Sequence, residues 1–412
     1  MSKVLRADEA KQAILQRLIP VSETERVELR AALGRVLAED VISPVDVPQH
    51  DNSAMDGYAL RSVDLIGTNE VTLQVVGEAL AGRPYVAVLG AMECVLITTG
   101  AVLPAGCDCV VPQELVAFAS QQSICLAPAV VKAGANCRRA GEDLRHGSTA
   151  LAAGKVLRPA DIGLLASLGI ASATVRRRLR VAFFSTGDEL RLLGQALEPG
   201  CVYDSNRYTL QAMLTRLGVE TLDLGVVQDD PTALKEALEH ACLEADAIVT
   251  SGGVSVGAAD YTRDIMAQMG EVEFWKIAMR PGRPMAFGRI EAKGKSAWLF
   301  GLPGNPVAVM VSFYMMARDA LLHLAGTNDA ALPLLRVPAQ GTLHKKPGRT
   351  EFQRGMLAIG KNGKTCVQAF DEQGSGILRS MSEANCLIVL EHERGDVADG
   401  EEVGVVLFDG LI

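Results

Sequence analysis

The chain carries no Cys-x-x-Cys pair, and its nine cysteines are scattered and odd in number. That excludes a disulfide framework and a structural zinc site, and points to a reducing compartment. Histidine is scarce, with six residues and no triad or zinc spacing, so none is assigned a role. Aromatic residues make up only 4% against 49% apolar residues, a composition that suits aliphatic α/β cores. A basic excess is missing as well. Forty Lys plus Arg stand against 49 Asp plus Glu, a net charge of −9, which removes duplex nucleic acid as a general partner. No apolar run approaches the ~20 residues of a membrane helix. The opening Met1-Ser2-Lys3-Val4-Leu5-Arg6 has charges where a signal peptide needs an apolar core. A cytoplasmic protein, binding neither membrane nor nucleic acid, is the expectation. Finally, no Gly-x-Gly-x-x-Gly fingerprint occurs and no Gly-Lys-Ser/Thr ends the glycine loop Ser251–Gly257, which disfavours ordinary P-loop hydrolysis.

What is present is organised around Val181 to Pro306. Apolar runs at Val181–Phe184, Thr221–Val227, Ala245–Val249 and Ala297–Phe300 read as buried strands separated by helical patterns, the signature of a doubly wound α/β domain. At 412 residues the chain needs two to four domains. A multidomain α/β protein is expected, with the α/β domain over residues 179–328 and a small β-rich domain over 46–139. Residues 1–45 and 140–178 would form an elongated helical and extended domain that also dimerises, and 329–412 a C-terminal β barrel or sandwich. Ala10, Ile14, Leu15 and Leu18 predict a helix over 8–18. The capping-box form of Ser22-Glu23-Thr24-Glu25 predicts a second one through Leu37.

Each strand in the α/β region runs into a polar turn, and in such sheets the ligand crevice lies beyond the strands' carboxyl ends. Ser251-Gly252-Gly253-Val254-Ser255-Val256-Gly257 presents backbone N–H groups to an anion, or else serves only close packing of strand and helix. Glu189, Asp229, Asp230 and Asp260 lie near strand ends. Carboxylates beside a phosphate-shaped loop call for a hard cation between them, and Mg²⁺ with oxygen ligands answers that need. Asp230 before Pro231 suits a helix N-cap, which favours Asp229 for function. Lys276, Arg280 and Arg283 surround a proline-stiffened exit, with Lys276 and Arg280 four apart on one strand face, an arrangement for a tetrahedral oxyanion. Gly301-Leu302-Pro303-Gly304-Asn305-Pro306 is a rigid strand-to-helix turn. Weaker signals are Asp51, Ser53 and Asp56 in one turn, Thr98-Thr99-Gly100, Gly141-Glu142-Asp143, Arg354 between Phe352 and Gly355, and Ser375 in a glycine turn.

Together, Asp51 through Ala59, Gly141-Glu142-Asp143, Ser185 through Leu190, Ser251 through Gly257 with Asp260-Tyr261, and Pro303 through Pro306 resemble the molybdopterin molybdotransferase family of bacterial molybdenum-inserting enzymes and the gephyrin E domain. The resemblance runs in order over essentially the whole chain. It implies a central domain of the molybdopterin-binding kind and insertion of molybdate into adenylylated molybdopterin with release of AMP, dependent on Mg²⁺. It also implies an elongated homodimer whose site lies between the α/β domain of one subunit and the small β domain of the other. Other proteins of molybdenum cofactor biosynthesis would be further partners. The family's functional positions fall on Asp56, Thr99, Asp143, Glu189, Asp229, Asp260, Lys276, Arg280, Pro303, Pro306, Arg354 and Ser375. Of these, Asp56, Asp143, Glu189, Asp260, Lys276 and Arg280 are expected to be catalytic, and Glu189, Asp229 and Asp260 to hold the metal. Thr99, Ser251, Gly252, Gly253, Ser255, Gly257, Arg283, Pro303, Gly304, Asn305, Pro306, Arg354 and Ser375 would contact the substrates. Arg280 and Arg283 stand where some members carry lysines, which bears on the choice between molybdate and tungstate.

Two other readings compete. Adenylyl transfer from ATP to molybdopterin would use the same α/β domain and release pyrophosphate. A gephyrin-like scaffold would need a long Pro/Ser-rich linker and a second α/β domain, and this chain has neither.

Overall fold

Strand Arg180–Thr186 sits between Glu220–Val227 on one side and Ala247–Ser251 on the other, with Lys295–Leu302 next, and all three of these pairings are parallel. The chain therefore winds outward to one side of its first strand and then to the other, and the crevice of an α/β sheet opens at that reversal. Val181, Ala182, Phe183 and Phe184 are fully buried, because helices cover both faces. Leu210, Met213 and Leu214 of helix Ser205–Arg216 pack on one face, and Leu234 and Leu238 of helix Pro231–Glu244 on the other. Beyond Lys295–Leu302 the sheet turns antiparallel through Pro284–Ala292 and Gly270–Ile277. The hairpin tip Lys293-Gly294 has positive φ at both residues, the two-residue turn that matches strand twist. The computed structural model describes residues 4–253, 260–328, 330–360 and 363–408, the side chains of Asp260 and Tyr261 excepted.

The N-terminus departs from expectation. Val4–Leu5 adds a seventh strand, parallel to Gly270–Ile277, and helix Ala7–Leu15 buries Ala10 and Ile14 completely against the same core. Residues 4–18 thus pack with the large sheet rather than with the elongated domain assigned to 1–45. The second helix is not formed. Thr24–Glu28 is a strand, paired antiparallel over its length with Ser172–Arg176, and only Leu29–Ala31 makes a short 3₁₀ turn. A ladder supplied from far along the chain outweighs the local capping signal. Two further short ladders, Val41–Ile42 with Thr149–Leu151 and Asn52–Ser53 with Cys137–Arg138, carry the chain out to a six-stranded β sheet and back.

Helix 306–324, with a π turn at Phe313–Ala317, is long and apolar enough by composition to cross a membrane, contrary to the expectation that no run comes near this length. Val307, Val309, Val311, Phe313 and Leu321 are fully buried in the protein core, so it is a core helix here. Phe352, Met381 and Leu387 of the C-terminal β unit join that same core. This unit closes on itself as a barrel, because Gln340 N–H donates to the Val367 carbonyl across the ends of its strand order.

Candidate functional site

A cleft of about 990 Å³ opens at the strand ends, walled by the α/β domain and by the turn 373–376 of the barrel. Gly252 and Gly253 lie in its floor at φ +92° and +70°. A Cβ on Gly252 would stand 2.6 Å from the Thr186 carbonyl oxygen, so only glycine lets the two strand-end turns meet. Gly252→Ala is expected to cost about 1–3 kcal/mol in strain, read as a lower melting temperature together with weaker phosphate binding. An unchanged melting curve would show that the close approach is not needed.

A buried polar network fixes the neighbouring turns. Asp204 caps helix Ser205–Arg216, accepting from Arg207 N–H at 3.1 Å and from Ser185 Oγ at 3.0 Å. The Asn206 amide donates to the Gly304 carbonyl at 2.7 Å and to Ser251 Oγ at 3.2 Å, tying one helix start to two cleft turns. Val307 N–H donates to the Ser375 carbonyl at 3.0 Å, and Asn305 Nδ2 to Ser375 Oγ at 3.1 Å. Pro303, Gly304, Asn305 and Pro306 thereby hold the barrel turn at the start of the core helix.

Glu189 and Asp229 line the cleft. Partial burial, then the negative charges of Asp188 and Glu189, hold the Asp229 carboxyl above its ordinary value although solvent reaches it. Asp229 N–H donates to Asp188 Oδ1 at 3.3 Å, so three carboxylates share one corner. Hard oxygen donors crowded into one corner fit a divalent cation such as Mg²⁺. Among the described residues no three such side chains form a complete cage. Ser255, Gly257 and the side chain of Asp260 lie outside the described residues.

The cations are arranged differently from the sequence-based expectation. Gly270–Ile277 ends before Ala278, and Met279–Arg280 is a separate strand, parallel to Thr350–Ile359 of the barrel. Lys276 and Arg280 therefore do not share a strand face. Lys276 is half-buried between Val4 and Pro284 in the large sheet, outside the cleft, whereas Arg280 and Arg283 are exposed on its wall. Arg349 joins them, its Nε 2.8 Å from buried Glu351. Arg354 does not line the cleft. It is fully buried, donating to the carbonyls of Glu372, Gln373 and Gly374 at 3.0, 3.2 and 2.9 Å and to Ser380 Oγ at 3.0 Å. Burial, and then Arg280, push its guanidinium down to about 10, which leaves it charged at neutral pH. Its place is behind the turn that carries Ser375.

Asp56, Thr99 and Asp143 also stand apart, since none of them lines this cleft. The Thr99 N–H and hydroxyl donate to Asp56 Oδ1 at 2.6 and 2.9 Å, holding that exposed carboxyl below the usual range. Asp143 is exposed in a turn whose backbone N–H reaches the Val47 carbonyl. Sequence reasoning missed Tyr203, Asp204, Asn206 and Arg349 as cleft residues. An Asp-Ser-Asn run at a helix start was a usable signal for two of them, whereas Arg349 reaches the cleft only because the distant barrel packs against it.

Three family models match consecutive parts of the chain. They are the MoeA N-terminal region (domain I and II) over residues 5–169, a probable molybdopterin binding domain over 182–323, and the MoeA C-terminal region (domain IV) over 336–408. Among curated relatives, the molybdopterin molybdenumtransferase of Haemophilus influenzae is 41% identical over 410 residues, covering 99% of this chain and 100% of its own length. That of Nostoc sp. is 36% identical, covering 95% and 91%. The crystal structure of the molybdopterin biosynthesis moeA protein from Pyrococcus horikoshii superposes with a TM-score of 0.85 at 29% identity, covering 98% of this chain and all of that one.

Proposed function

The chain belongs to the molybdopterin molybdenumtransferase family, enzymes of molybdenum cofactor biosynthesis, and from that premise we propose that its cleft takes adenylylated molybdopterin and molybdate, joins metal to dithiolene and releases AMP. The observation that carries this reading is one cleft with a carboxylate corner, a glycine floor and an arginine wall. The Gly252 N–H is held by the Leu302 carbonyl, so the backbone N–H groups of Gly253, Gly304 and Asn305 would seat the diphosphate, with Gly252 leaving room for its approach. Arg280, Arg283 and Arg349, with Ser375, would hold the tetrahedral oxyanion, each guanidinium able to grip two oxygens.

Glu189 and Asp229, with Asp260, would hold Mg²⁺, which when bound supplies Lewis-acid polarisation of the phosphoanhydride. Glu189 and Asp229 then orient the diphosphate by being themselves fixed at the ends of their strands. Asp56, Thr99 and Asp143 would act from a second copy of the chain, completing the cleft in a homodimer in the cytoplasm. Sedimentation as a 43.7 kDa species alone would overturn that assembly. Purified protein incubated with adenylylated molybdopterin, Mg²⁺ and molybdate is expected to release AMP only when molybdate is present. Consumption of ATP with release of pyrophosphate would instead identify an adenylyltransferase.

A further inference from the structure

The cleft has corners for phosphate, cation and oxyanion, but a nucleotide of this kind also brings flat rings that need an apolar face. Among the described residues lining the cleft, Tyr203 is the sole aromatic. It lies on the two-residue strand Val202–Tyr203, which pairs in parallel with Leu190–Arg191. Val202 N–H donates to the Glu189 carbonyl at 2.9 Å and Asp204 N–H to the Arg191 carbonyl at 3.1 Å, so this ribbon is stitched directly to the acidic corner.

We infer that the ribbon is a ring subsite, in which the face of Tyr203, in a cleft that Val202 and Leu190 also line, stacks on a planar heterocycle joined to the bound phosphate, a purine or a pterin. The inference rests on the diphosphate reading above. Three features support it. The Tyr203 hydroxyl donates to the Gln195 carbonyl at 2.8 Å, so its polar edge is already engaged and the ring is held. Tyr203 is 40% exposed and Val202 51%, an apolar surface left open beside charged groups. No other aromatic ring or guanidinium among the described residues packs on that ring.

The loop that carries the ribbon is also braced. Arg191 donates to the carbonyls of Asp188 and Leu190 at 2.8 and 3.0 Å and pairs with Glu198 at 2.9 Å. A tyrosine held this way loses little further freedom when a ring settles on it. Its ribbon is bonded to the Glu189 backbone and lines the same cleft as Gly252 and Gly253, which puts the ring in one chamber with the proposed phosphate seat.

The test is calorimetric titration with probes that differ in their ring alone. Ribose 5-phosphate, AMP and 6-hydroxymethylpterin monophosphate are each titrated with Mg²⁺ into wild type, Tyr203→Phe and Tyr203→Ala, after thermal melting has shown that the variants fold alike. In wild type at least one ring-bearing probe should bind about 5–100-fold more tightly than ribose 5-phosphate, the range of one base–aromatic stack. That ratio should fall towards one in Tyr203→Ala and persist in Tyr203→Phe. Loss confined to AMP identifies the seat as purine, and loss confined to the pterin probe identifies it as pterin. An unchanged ratio in Tyr203→Ala, an equal loss in Tyr203→Phe, or no ring-dependent gain in wild type overturns the subsite. A ring effect without any molybdate-dependent AMP release would leave the subsite standing and remove the proposed reaction.

Discussion

Asp229→Asn is expected to melt at a higher temperature than wild type without divalent cation, and to lose about 100-fold or more of Mg²⁺-dependent AMP release, a loss of ~3 kcal/mol from the several that a bound cation supplies. The two effects share a cause. The Asp229 carboxyl is held above its ordinary 3.8 by partial burial and then by Asp188 and Glu189. A carboxyl raised in the folded state contributes stability that is fully present below its unfolded pKa and disappears as pH rises through the folded value. At neutral pH its charge therefore opposes folding, and an amide of the same shape removes that repulsion. The amide also removes the anionic oxygen that a cation would use. Melting curves with and without Mg²⁺ check the idea directly: the cation should raise the melting temperature of wild type and leave Asp229→Asn unmoved. An equal Mg²⁺ response in both proteins would take Asp229 out of the cation site.

Arg354→Met is expected to show the largest loss of stability of any single change considered, about 3–5 kcal/mol. Its guanidinium satisfies three carbonyls and one hydroxyl in a volume that water does not reach. Each bond to a charged donor contributes ~1.5–3 kcal/mol, and the acceptors left behind keep their desolvation cost. Arg354→Lys should recover only part of this, since an ammonium on a flexible stem cannot cover four acceptors placed for a planar fork. Because the 372–374 carbonyls lead into Ser375 at the cleft, the surviving fold should also show a raised KM for molybdate with a smaller change in kcat. A multidomain chain need not unfold in one step, so the relevant signal is the barrel's own transition in calorimetry. If Arg354→Met melts like wild type, the brace role fails.

Local pattern revealed what local chemistry decides. Three of the four parallel strands of the α/β domain were legible because burial on both faces leaves unbroken apolar runs such as Val181–Phe184, whereas Glu220–Val227, expected to be buried, lies half-exposed at the sheet edge. The turns after them were legible because Gly252 and the 303–306 run punctuate them. The failures have one physical origin, which is pairing with distant segments. Thr24–Glu28 reads as a capped helix until Ser172–Arg176 offers it a ladder. Lys276 and Arg280 count as same-face neighbours only if the strand is continuous, and it breaks at Ala278 because Met279–Arg280 leaves for another sheet. Arg354 looked like a ligand group because nothing in Phe352 through Gly355 foretells that the 372–374 carbonyls fold back over it. Asp56, Thr99 and Asp143 carried a family signal that the cleft of a single chain does not use.

That two-residue ladder, Met279–Arg280 against Thr350–Glu351, also limits how this protein could be rebuilt. Exchange of the final barrel for another β module would preserve the acidic side of the pocket while unmooring Arg280 and deleting Arg349 and Ser375 together. The two sides of the reaction chamber would then have to evolve as a single heritable piece, and a shuffled descendant would more readily keep a nucleotide than an oxyanion.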